Sequence, residues 1–281
     1  SKCLLIHSRL SIVDLSSAGN QPILSRCGNY IFVINGEIYN YKELGSLCAN
    51  KLDIDNISDS IIALEFIIEF GLTKFLELAQ GMWAFALYNK AESTLQLVRD
   101  ISGQKPLFYY PALDYTFFAS TLTSCIKFND IKLSDKIIYN FVQSGSLSID
   151  ELGIVSINPG EIHEFLPTQT MPSVKKYFEL NVNRFKSADL EEIECLLEKH
   201  VSWTLRSDAP IGLFLSGGVD SRLVAAIAKR VDSKKIVAAY TVAFDVKDFN
   251  ESNEAKKVAQ KLDLFYEEVL ITPLHVKNFF E

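Results

Sequence analysis

Short runs of apolar, β-branched and aromatic residues are interrupted by a helical pattern along the first two thirds of the chain. Six of these runs predict strands: Leu4–Val13, Tyr30–Asn35, Met82–Tyr88, Thr94–Arg99, Leu107–Tyr110 and Tyr115–Ala119. Between them, Asp59–Phe70 carries apolar residues at helical spacing, with Asp59 as the predicted N-cap. This arrangement favours an antiparallel sheet covered by helices.

From about Ala188 the pattern changes to regular alternation of helices and strands. The pattern predicts helices at Leu190–Leu205, Arg222–Arg230 and Glu254–Leu262, and strands at Ile211–Leu215, Ile236–Phe244 and Tyr266–Ile271. A turn is predicted at Ser216–Ser221, between the first strand and the second helix. A β-α-β-α-β order is typical of a parallel sheet. The segment Asn158–Lys176 carries three prolines and is predicted to end the first unit. We therefore predict domains at 1–165 and 189–281, with a connector at 166–188.

Composition supports a packed protein and excludes several classes. Of 281 residues, 48% are hydrophobic and 22% charged, which suits a globular core. The 35 acidic residues outnumber the 28 basic ones, so neither nucleic acid nor an anionic membrane is an expected partner. The apolar runs are too short to span a bilayer and the N-terminus shows no signal pattern. Five scattered cysteines never form C-x-x-C, so we expect buried thiols in a cytoplasmic protein.

A glycine-rich loop follows the predicted strand Ile211–Leu215 and opens a helix. Its glycines allow close approach of an anion, and the helix N-terminus offers unpaired N–H groups. Asp220 would repel phosphate unless a divalent cation lay between them. The loop lacks the Walker lysine and the third glycine of a dinucleotide fingerprint. Pyrophosphate binding is the favoured interpretation, and a plain turn the alternative, for Ser216, Gly217, Gly218, Val219, Asp220 and Ser221.

This stretch, from Phe214 to Ser221, resembles the PP-loop of ATP pyrophosphatases, which cleave ATP to AMP and pyrophosphate while adenylating a substrate. The resemblance implies ATP and Mg²⁺ as cofactors, with the metal at Asp220. It also implies adenosine contacts by the main chain of Leu215 and Val242. Downstream, Thr241–Phe244 and Asp248–Ser252 resemble the matching stretches of asparagine synthetases.

Three polar motifs lie beside the apolar strands of the first domain, at 7–15, 20–22 and 35–40. Arg9 can bind a carboxylate through two hydrogen bonds. Asn35 and the Gly36 N–H are candidate donors to an oxyanion. Glu37 and Asp59 can bind an ammonium, so that together the set would recognise a free amino acid. Taken alone, each residue is more readily interpreted as a surface or turn residue, since Asn-Gly is itself a hairpin signal.

Together with the segments 81–87 and 99–107, these motifs resemble the class II glutamine amidotransferase domain of glutamine-hydrolysing asparagine synthetases. The resemblance implies an Ntn-hydrolase-like αββα sandwich followed by a Rossmann-like parallel α/β domain that is incomplete in this chain. It implies an oxyanion hole at Asn35 and Gly36 and α-amino recognition by Glu37 and Asp59. The glutamine carboxylate would be bound by Arg9 and the main chain around Leu10, Ile12 and Val13.

The chain departs from the family pattern at several points. The N-terminal cysteine nucleophile of the family is absent, so we expect no glutamine hydrolysis by this chain, and Cys3 is interpreted as a packing residue. Arg222, Thr121 and Thr123 differ from the usual Ser, Glu and Lys.

The leading hypothesis is an ATP-dependent ligase that makes asparagine from aspartate and glutamine. The alternatives are a sugar-acid or peptide carboxylate acceptor, or a non-catalytic fragment. The oligomeric state stays open, with a homodimer as one option.

Overall fold

The chain forms two compact units in a computed structural model that describes residues 3–49, 54, 57–147, 149–167, 169, 171–180, 189–244 and 251–280. The first unit comprises Ser1–Leu10 and Ser16–Asn183, and the second comprises Ser11–Leu15 and Arg184–Glu281. The short segment 11–15 therefore makes its contacts with the second unit although it lies near the start of the chain.

The first unit alternates short strands and helices. In chain order its elements are β1 (Ile23–Leu24), β2 (Tyr30–Ile38), α1 (Tyr41–Leu47), α2 (Asp59–Phe70), α3 (Leu72–Leu78), β3 (Gly81–Asn89), β4 (Thr94–Arg99), β5 (Phe108–Pro111), β6 (Thr116–Ala119), α4 (Leu122–Phe128), α5 (Asp135–Ser144), β7 (Val155–Ser156), β8 (Glu161–Phe165) and β9 (Ser173–Lys176). These strands form a six-stranded sheet in the order β1-β2-β3-β4-β8-β9 and a three-stranded sheet in the order β6-β5-β7. All of their pairings are antiparallel.

The two sheets pack face to face, with a layer of helices outside each. Val33, Ala84 and Leu97 of the large sheet share a buried cluster with Tyr109 and Ile157 of the segments that build the small one. On the other face of the large sheet, aromatic residues of α2 and α3 meet those of β2 and β3: Phe66, Phe75, Phe32, Trp83 and Phe85. On the other face of the small sheet, α4 and α5 bury Cys125 and Ile137. The expected αββα layering is confirmed.

The second unit is a parallel sheet with helices. Its elements are α6 (Leu190–Thr204), β10 (Ile211–Phe214), α7 (Val219–Val231), β11 (Ile236–Phe244), α8 (Ser252–Lys261), β12 (Tyr266–Ile271) and α9 (Pro273–Phe280). The order β10-β11-β12 is parallel throughout, as the β-α-β pattern predicts. Helices α7 and α8 bury Ala225, Ala255 and Ala259 against one face of this sheet, where small side chains allow close packing.

The strand predicted at Leu4–Val13 is wrong for the described residues from Cys3 onward, which contain no strand before β1. The period-two pattern is nevertheless present, because Leu4, Ile6 and Leu10 are 81%, 82% and 85% exposed while Leu5 packs on the sheet–sheet core. An alternating pattern shows which side chains face the core, but a strand also needs a hydrogen-bonding neighbour, which the pattern does not encode.

Two local predictions are corrected at helix starts. Ser58, not Asp59, is the N-cap of α2, because the Ser58 hydroxyl accepts from the Ile61 amide at 3.4 Å and Asp59 is already helical. The turn predicted at Ser216–Ser221 is shorter than expected, because α7 begins at Val219.

The sheet also extends into the predicted connector. Strand β9, within 166–188, pairs with β8, so residues 173–176 are part of the six-stranded sheet. Part of the predicted connector, at 168, 170 and 181–188, lies outside the described residues. The division into domains at 1–165 and 189–281 stays a prediction.

Among the residues that the structure describes, no helix has the length and apolar character needed to cross a membrane.

Candidate functional site

One edge of β2 carries the polar motif of the first unit. The Ile34 amide donates to the Gln21 side chain at 2.6 Å, and the Ile34 carbonyl lies 3.1 Å from the His7 Nε2. Four residues further on, the Ile38 amide donates to Asp59 Oδ2 at 2.9 Å. Because backbone groups alternate between the two edges of a strand, Gly36 falls between these two positions on the same edge.

Gly36 has a conformation and a neighbourhood that only glycine tolerates. Its φ is 140°, and it stands opposite Trp83 in the β2–β3 ladder. A Cβ at this position would lie inside the contact distance of the Met82 carbonyl oxygen and 2.6 Å from the Trp83 Cα. The backbone of β3 therefore approaches β2 too closely for any side chain here.

Glu37 and Asp59 form a pair of interacting carboxyl groups. Burial and the neighbouring Asp59 charge raise the pKa of Glu37, and the Lys105 ammonium opposes that rise. Burial also raises the pKa of Asp59, which is 9% exposed, against hydrogen bonds from the Ile38 and Ser60 amides and the charge of Arg9. The structure thus brings together the two residues predicted to hold an ammonium, in surroundings that favour a positive ligand.

Arg9 lies in the same unit and is close enough to Asp59 to influence its titration. Its Nη1 donates to the Ser16 carbonyl at 2.7 Å. Its guanidinium lies against Gly19, where a Cβ would come within 2.7 Å of the Arg9 Cζ. Gly19, which the sequence did not single out, leaves the room that Arg9 needs.

The predicted main-chain contributors to the glutamine site fall in different units. Leu10 belongs to the first unit and its side chain is exposed. Ile12 and Val13 belong to the second, where the Ile12 carbonyl accepts from the Asp208 amide at 2.9 Å and the Asp14 amide donates to Asp208 Oδ2 at 2.8 Å.

A buried carboxylate organises the loop between β4 and β5, which the sequence also did not assign. Asp100, 1% exposed, accepts hydrogen bonds from the amides of Trp83, Ser102, Gln104 and Lys105 at 2.9–3.2 Å. Through the Trp83 amide, this network ties the Lys105 backbone to β3, the strand that pairs with β2.

The cysteines differ in their chemical character. Burial raises the pKa of the Cys3 thiol, which disfavours the nucleophilic thiolate. The Cys125 thiol is fully buried and its pKa is raised to about 11. Cys27 is exposed, and hydrogen bonds from the Ser25 hydroxyl and the Asn29 amide lower the pKa of its thiol. Cys3 therefore fits the packing role expected of it better than a catalytic one.

In the second unit, the glycine-rich loop lies at the carboxyl end of β10 and leads into the N-terminus of α7. Ser216 Oγ and Ser221 Oγ lie 2.9 Å apart, and Ser221 Oγ also accepts from the Ser216 amide at 3.1 Å. The Gly218 amide donates to Ser216 Oγ at 3.2 Å. The Gly217 amide donates to a carboxylate, Glu251 Oε2, at 3.0 Å. The loop thus already binds an anionic group through its main chain.

Of the two residues predicted to contact adenosine, Leu215 directly precedes the loop and Val242 lies in the neighbouring strand β11. The Leu215 amide donates to the Tyr240 carbonyl at 2.8 Å, and the Leu215 carbonyl accepts from the Thr241 hydroxyl at 2.6 Å. Val242 lies in β11, paired with β12, and its side chain is half-exposed. The downstream residues Asp248–Asn250 of the quoted motif lie outside the described residues.

Asp220, in the first turn of α7, is the candidate Mg²⁺ ligand. Over the described ranges, no group of three or more His, Cys, Asp or Glu could hold a metal ion. Mg²⁺ commonly binds through one or two carboxylates together with substrate phosphates and water, rather than in an all-protein cage. An exposed carboxylate beside an anion-binding loop fits that mode of binding.

Comparison with known proteins gives a family match for each of the two parts of the chain. Residues 1–181 match the family described as glutamine amidotransferase domain, and residues 192–280 match the one described as asparagine synthase. Asparagine synthetase [glutamine-hydrolyzing] 1 of Bacillus subtilis (strain 168) is 29% identical over 278 residues, which is 96% of this chain and 43% of the relative. Asparagine synthetase B [glutamine-hydrolyzing] of Escherichia coli (strain K12) is 29% identical over 83% of this chain and 38% of the relative.

Two further matches complete the comparison. Asparagine synthetase [glutamine-hydrolyzing] 2 of B. subtilis is 32% identical over 81% of this chain and 33% of the relative. A solved structure of glutamine phosphoribosylpyrophosphate amidotransferase from B. subtilis aligns over 93% of this chain and 50% of that chain, with 14% identity and a TM-score of 0.43. The chain spans less than half the length of the three asparagine synthetases. It belongs to the glutamine-hydrolysing asparagine synthetase family, with a glutamine amidotransferase domain followed by an asparagine synthase segment.

Proposed function

We propose that this chain contributes to an ATP-dependent ligase that forms an amide from a carboxylate with nitrogen from glutamine. The carboxylate, taken to be aspartate from the names of the relatives, attacks the α-phosphorus of ATP and releases pyrophosphate. Ammonia from glutamine then attacks the acyl-adenylate and releases AMP, so that asparagine and glutamate are the products. The main support is the loop at the start of α7, whose Gly217 amide already binds a carboxylate.

In this proposal the loop binds the pyrophosphate end of ATP. The donors are the main chain of Gly217 and Gly218 and the hydroxyls of Ser216 and Ser221, while Leu215 and Val242 border the adenosine. Asp220 would hold Mg²⁺, which neutralises charge on the polyphosphate. The protein's own residues position the α-phosphate for attack and keep the leaving group bound.

The first unit would bind glutamine as a free amino acid. Arg9 would donate hydrogen bonds to its α-carboxylate, together with the main chain of Leu10 in the same unit. A contribution from the main chain of Ile12 and Val13, which belong to the second unit, stays a prediction. Glu37 and Asp59 would take the α-ammonium, which explains why two interacting carboxyls are kept in a partly desolvated place. Asn35 and Gly36 would stabilise the oxyanion that forms at the side-chain amide. The attacking thiolate is not assigned to Cys3, because burial raises the pKa of that thiol.

The identity of the acceptor is tested by measuring pyrophosphate release when the full chain is incubated with ATP, Mg²⁺ and a carboxylate. We expect release to depend on added aspartate and to be much slower with glutamate, a sugar acid or a peptide carboxylate. Equal rates with all of these carboxylates would contradict the aspartate assignment. Release that needs no carboxylate at all would contradict the ligase proposal.

A second test concerns Glu37 and the glutamine site. Glu37→Gln keeps the shape of the side chain and removes the charge that would face the α-ammonium. A hydrogen bond to a charged group is worth about 1.5–3 kcal/mol, so we expect glutamine to bind about ten- to a hundredfold more weakly. The measurement is calorimetric titration with glutamine. Glu92→Gln, an exposed residue of the β3–β4 turn, makes the same charge change and should bind normally.

The same variant should change stability with a defined pH dependence. The pKa of Glu37 is higher in the folded protein than in the unfolded chain. Ionised Glu37 therefore lowers the free energy of unfolding once the pH rises above the pKa that Glu37 has in the unfolded chain. Glu37→Gln is therefore expected to raise the melting temperature at pH 7, with the gain shrinking toward pH 4. A loss of stability at pH 7 would show that Glu37 is held by favourable contacts instead.

A further inference from the structure

The side chain of Glu251 lies over the phosphate loop. Glu251 directly precedes α8, and its Oε2 accepts from the Gly217 amide at 3.0 Å. A Cβ on Gly217 would lie 3.1 Å from the Glu251 Cβ and 3.2 Å from Oε2. The absence of a side chain at Gly217 therefore makes room for Glu251, across a separation of 34 residues in the sequence.

This contact uses a donor that a phosphate oxygen would need. A backbone amide has one hydrogen, so the Gly217 N–H can be directed at the Glu251 carboxylate or at a phosphate, but not fully at both. The bond is charge-assisted and stronger than one between neutral groups. The Glu251 charge would also repel an arriving polyphosphate. The protein thus places one of its own anions where the proposed ligand binds.

Other charged side chains near the loop make different contacts from that of Glu251. Arg222 Nε donates to the Gly218 carbonyl at 3.1 Å, so a guanidinium lies beside the loop. One turn along α8 from Glu251, Glu254 pairs with Lys257. The Arg222, Glu254 and Lys257 side chains, with Lys261, line a groove between α7 and α8. Glu254 therefore has a cation of its own, whereas the Glu251 carboxylate contacts the loop amide.

We propose that Glu251 is an affinity-determining residue of the phosphate loop, an internal carboxylate that competes with pyrophosphate for the Gly217 amide. Binding of the polyphosphate displaces Glu251, and the energy of the broken contact weakens the binding of ATP and speeds the release of pyrophosphate. This inference rests on the proposed function of the loop.

The test is calorimetric titration of inorganic pyrophosphate, with Mg²⁺, into the full chain and its variants. Glu251→Gln replaces a charged acceptor by a neutral one and removes the repulsion, so pyrophosphate should bind about five- to tenfold more tightly. Glu251→Ala should also bind more tightly, and neither variant removes a helix cap, since Glu251 makes no side-chain cap hydrogen bond to α8. Glu254→Gln, with the same charge change one turn away, should match the wild type within about twofold.

The outcomes separate the two levels of the proposal. Saturable binding to the wild type, with Glu251→Gln and Glu251→Ala no tighter, overturns the role of Glu251 and leaves the phosphate loop intact. An equal gain in Glu251→Gln and Glu254→Gln also overturns it, because the effect would then be a general reduction of negative charge. No saturable binding to any of the proteins overturns the phosphate loop itself, and the role of Glu251 with it.

Discussion

Asp220→Asn is expected to lower Mg²⁺-dependent pyrophosphate release from ATP by about a thousandfold. Asparagine keeps the size and shape of the side chain but loses the negative charge that a hard cation requires. Asp220 lies in the first turn of α7, where its exposed carboxylate is next to the loop that would hold the phosphates. Without the cation, the loop would have to bind a highly charged anion through main-chain and hydroxyl donors alone.

The matched control is at the other end of the same helix. Asp232, which ends α7, accepts a hydrogen bond from the Lys234 amide, and an Asn side-chain oxygen can accept it equally. Asp232→Asn should therefore leave pyrophosphate release unchanged. Ser216→Ala removes one neutral donor and should lower release by about ten- to a hundredfold. Near-normal release from Asp220→Asn would mean that the loop is a structural turn.

The parts of the fold that the sequence predicts well are those bounded by local signals. Helix α2 and strands β4, β11 and β12 begin and end at the predicted residues. For α2 the reason is visible, since the Ser58 hydroxyl caps the helix and Gly71, with φ 86°, ends it. These signals lie within a few residues of the element that they delimit, so no knowledge of the rest of the fold is needed.

The wrongly predicted elements lack such signals or depend on whether a partner strand is present. Strand β9 reads Ser-Val-Lys-Lys, with every residue exposed, and is a strand only because it pairs with β8. The segment Leu4–Val13 shows the opposite case, in which a strand-like pattern has no ladder in the described residues. In both, the presence or absence of a hydrogen-bonding partner strand decides the outcome, and the periodicity of the sequence does not encode it.

The candidate site divides in the same way. The phosphate loop can be predicted because strand, glycines and helix are contiguous in the sequence. The positions of Lys105 near Glu37 and of Glu251 over Gly217 come from contacts across the fold. Gly19 could have been noticed, because it directly precedes the Asn20–Pro22 motif, but only the packed guanidinium of Arg9 shows why a glycine is needed there.

Gly36→Ala is expected to cost several kcal/mol of unfolding free energy in the first unit. The new Cβ would meet the main chain of Met82 and Trp83, which belongs to the central strand β3 and cannot move away as a flexible side chain could. The positive φ of 140° adds strain for any residue with a side chain. Loss of glutamine binding by this variant would therefore not by itself demonstrate an oxyanion role for the Gly36 amide.

Gly28→Ala is the control for the steric clash, because it introduces backbone strain alone. Gly28 lies in the turn before β2 with a positive φ of 74°, but no other group lies within 4 Å of the position that an alanine methyl would take, so only the backbone strain of about 1–3 kcal/mol remains. Both variants are compared by urea unfolding in a Trp203→Phe background, where Trp83, 2% exposed in the first unit, reports the transition. We expect Gly36→Ala to unfold at clearly lower urea than Gly28→Ala. Equal midpoints would mean that β2 and β3 can separate at Gly36, and the close approach would then not constrain the proposed oxyanion hole.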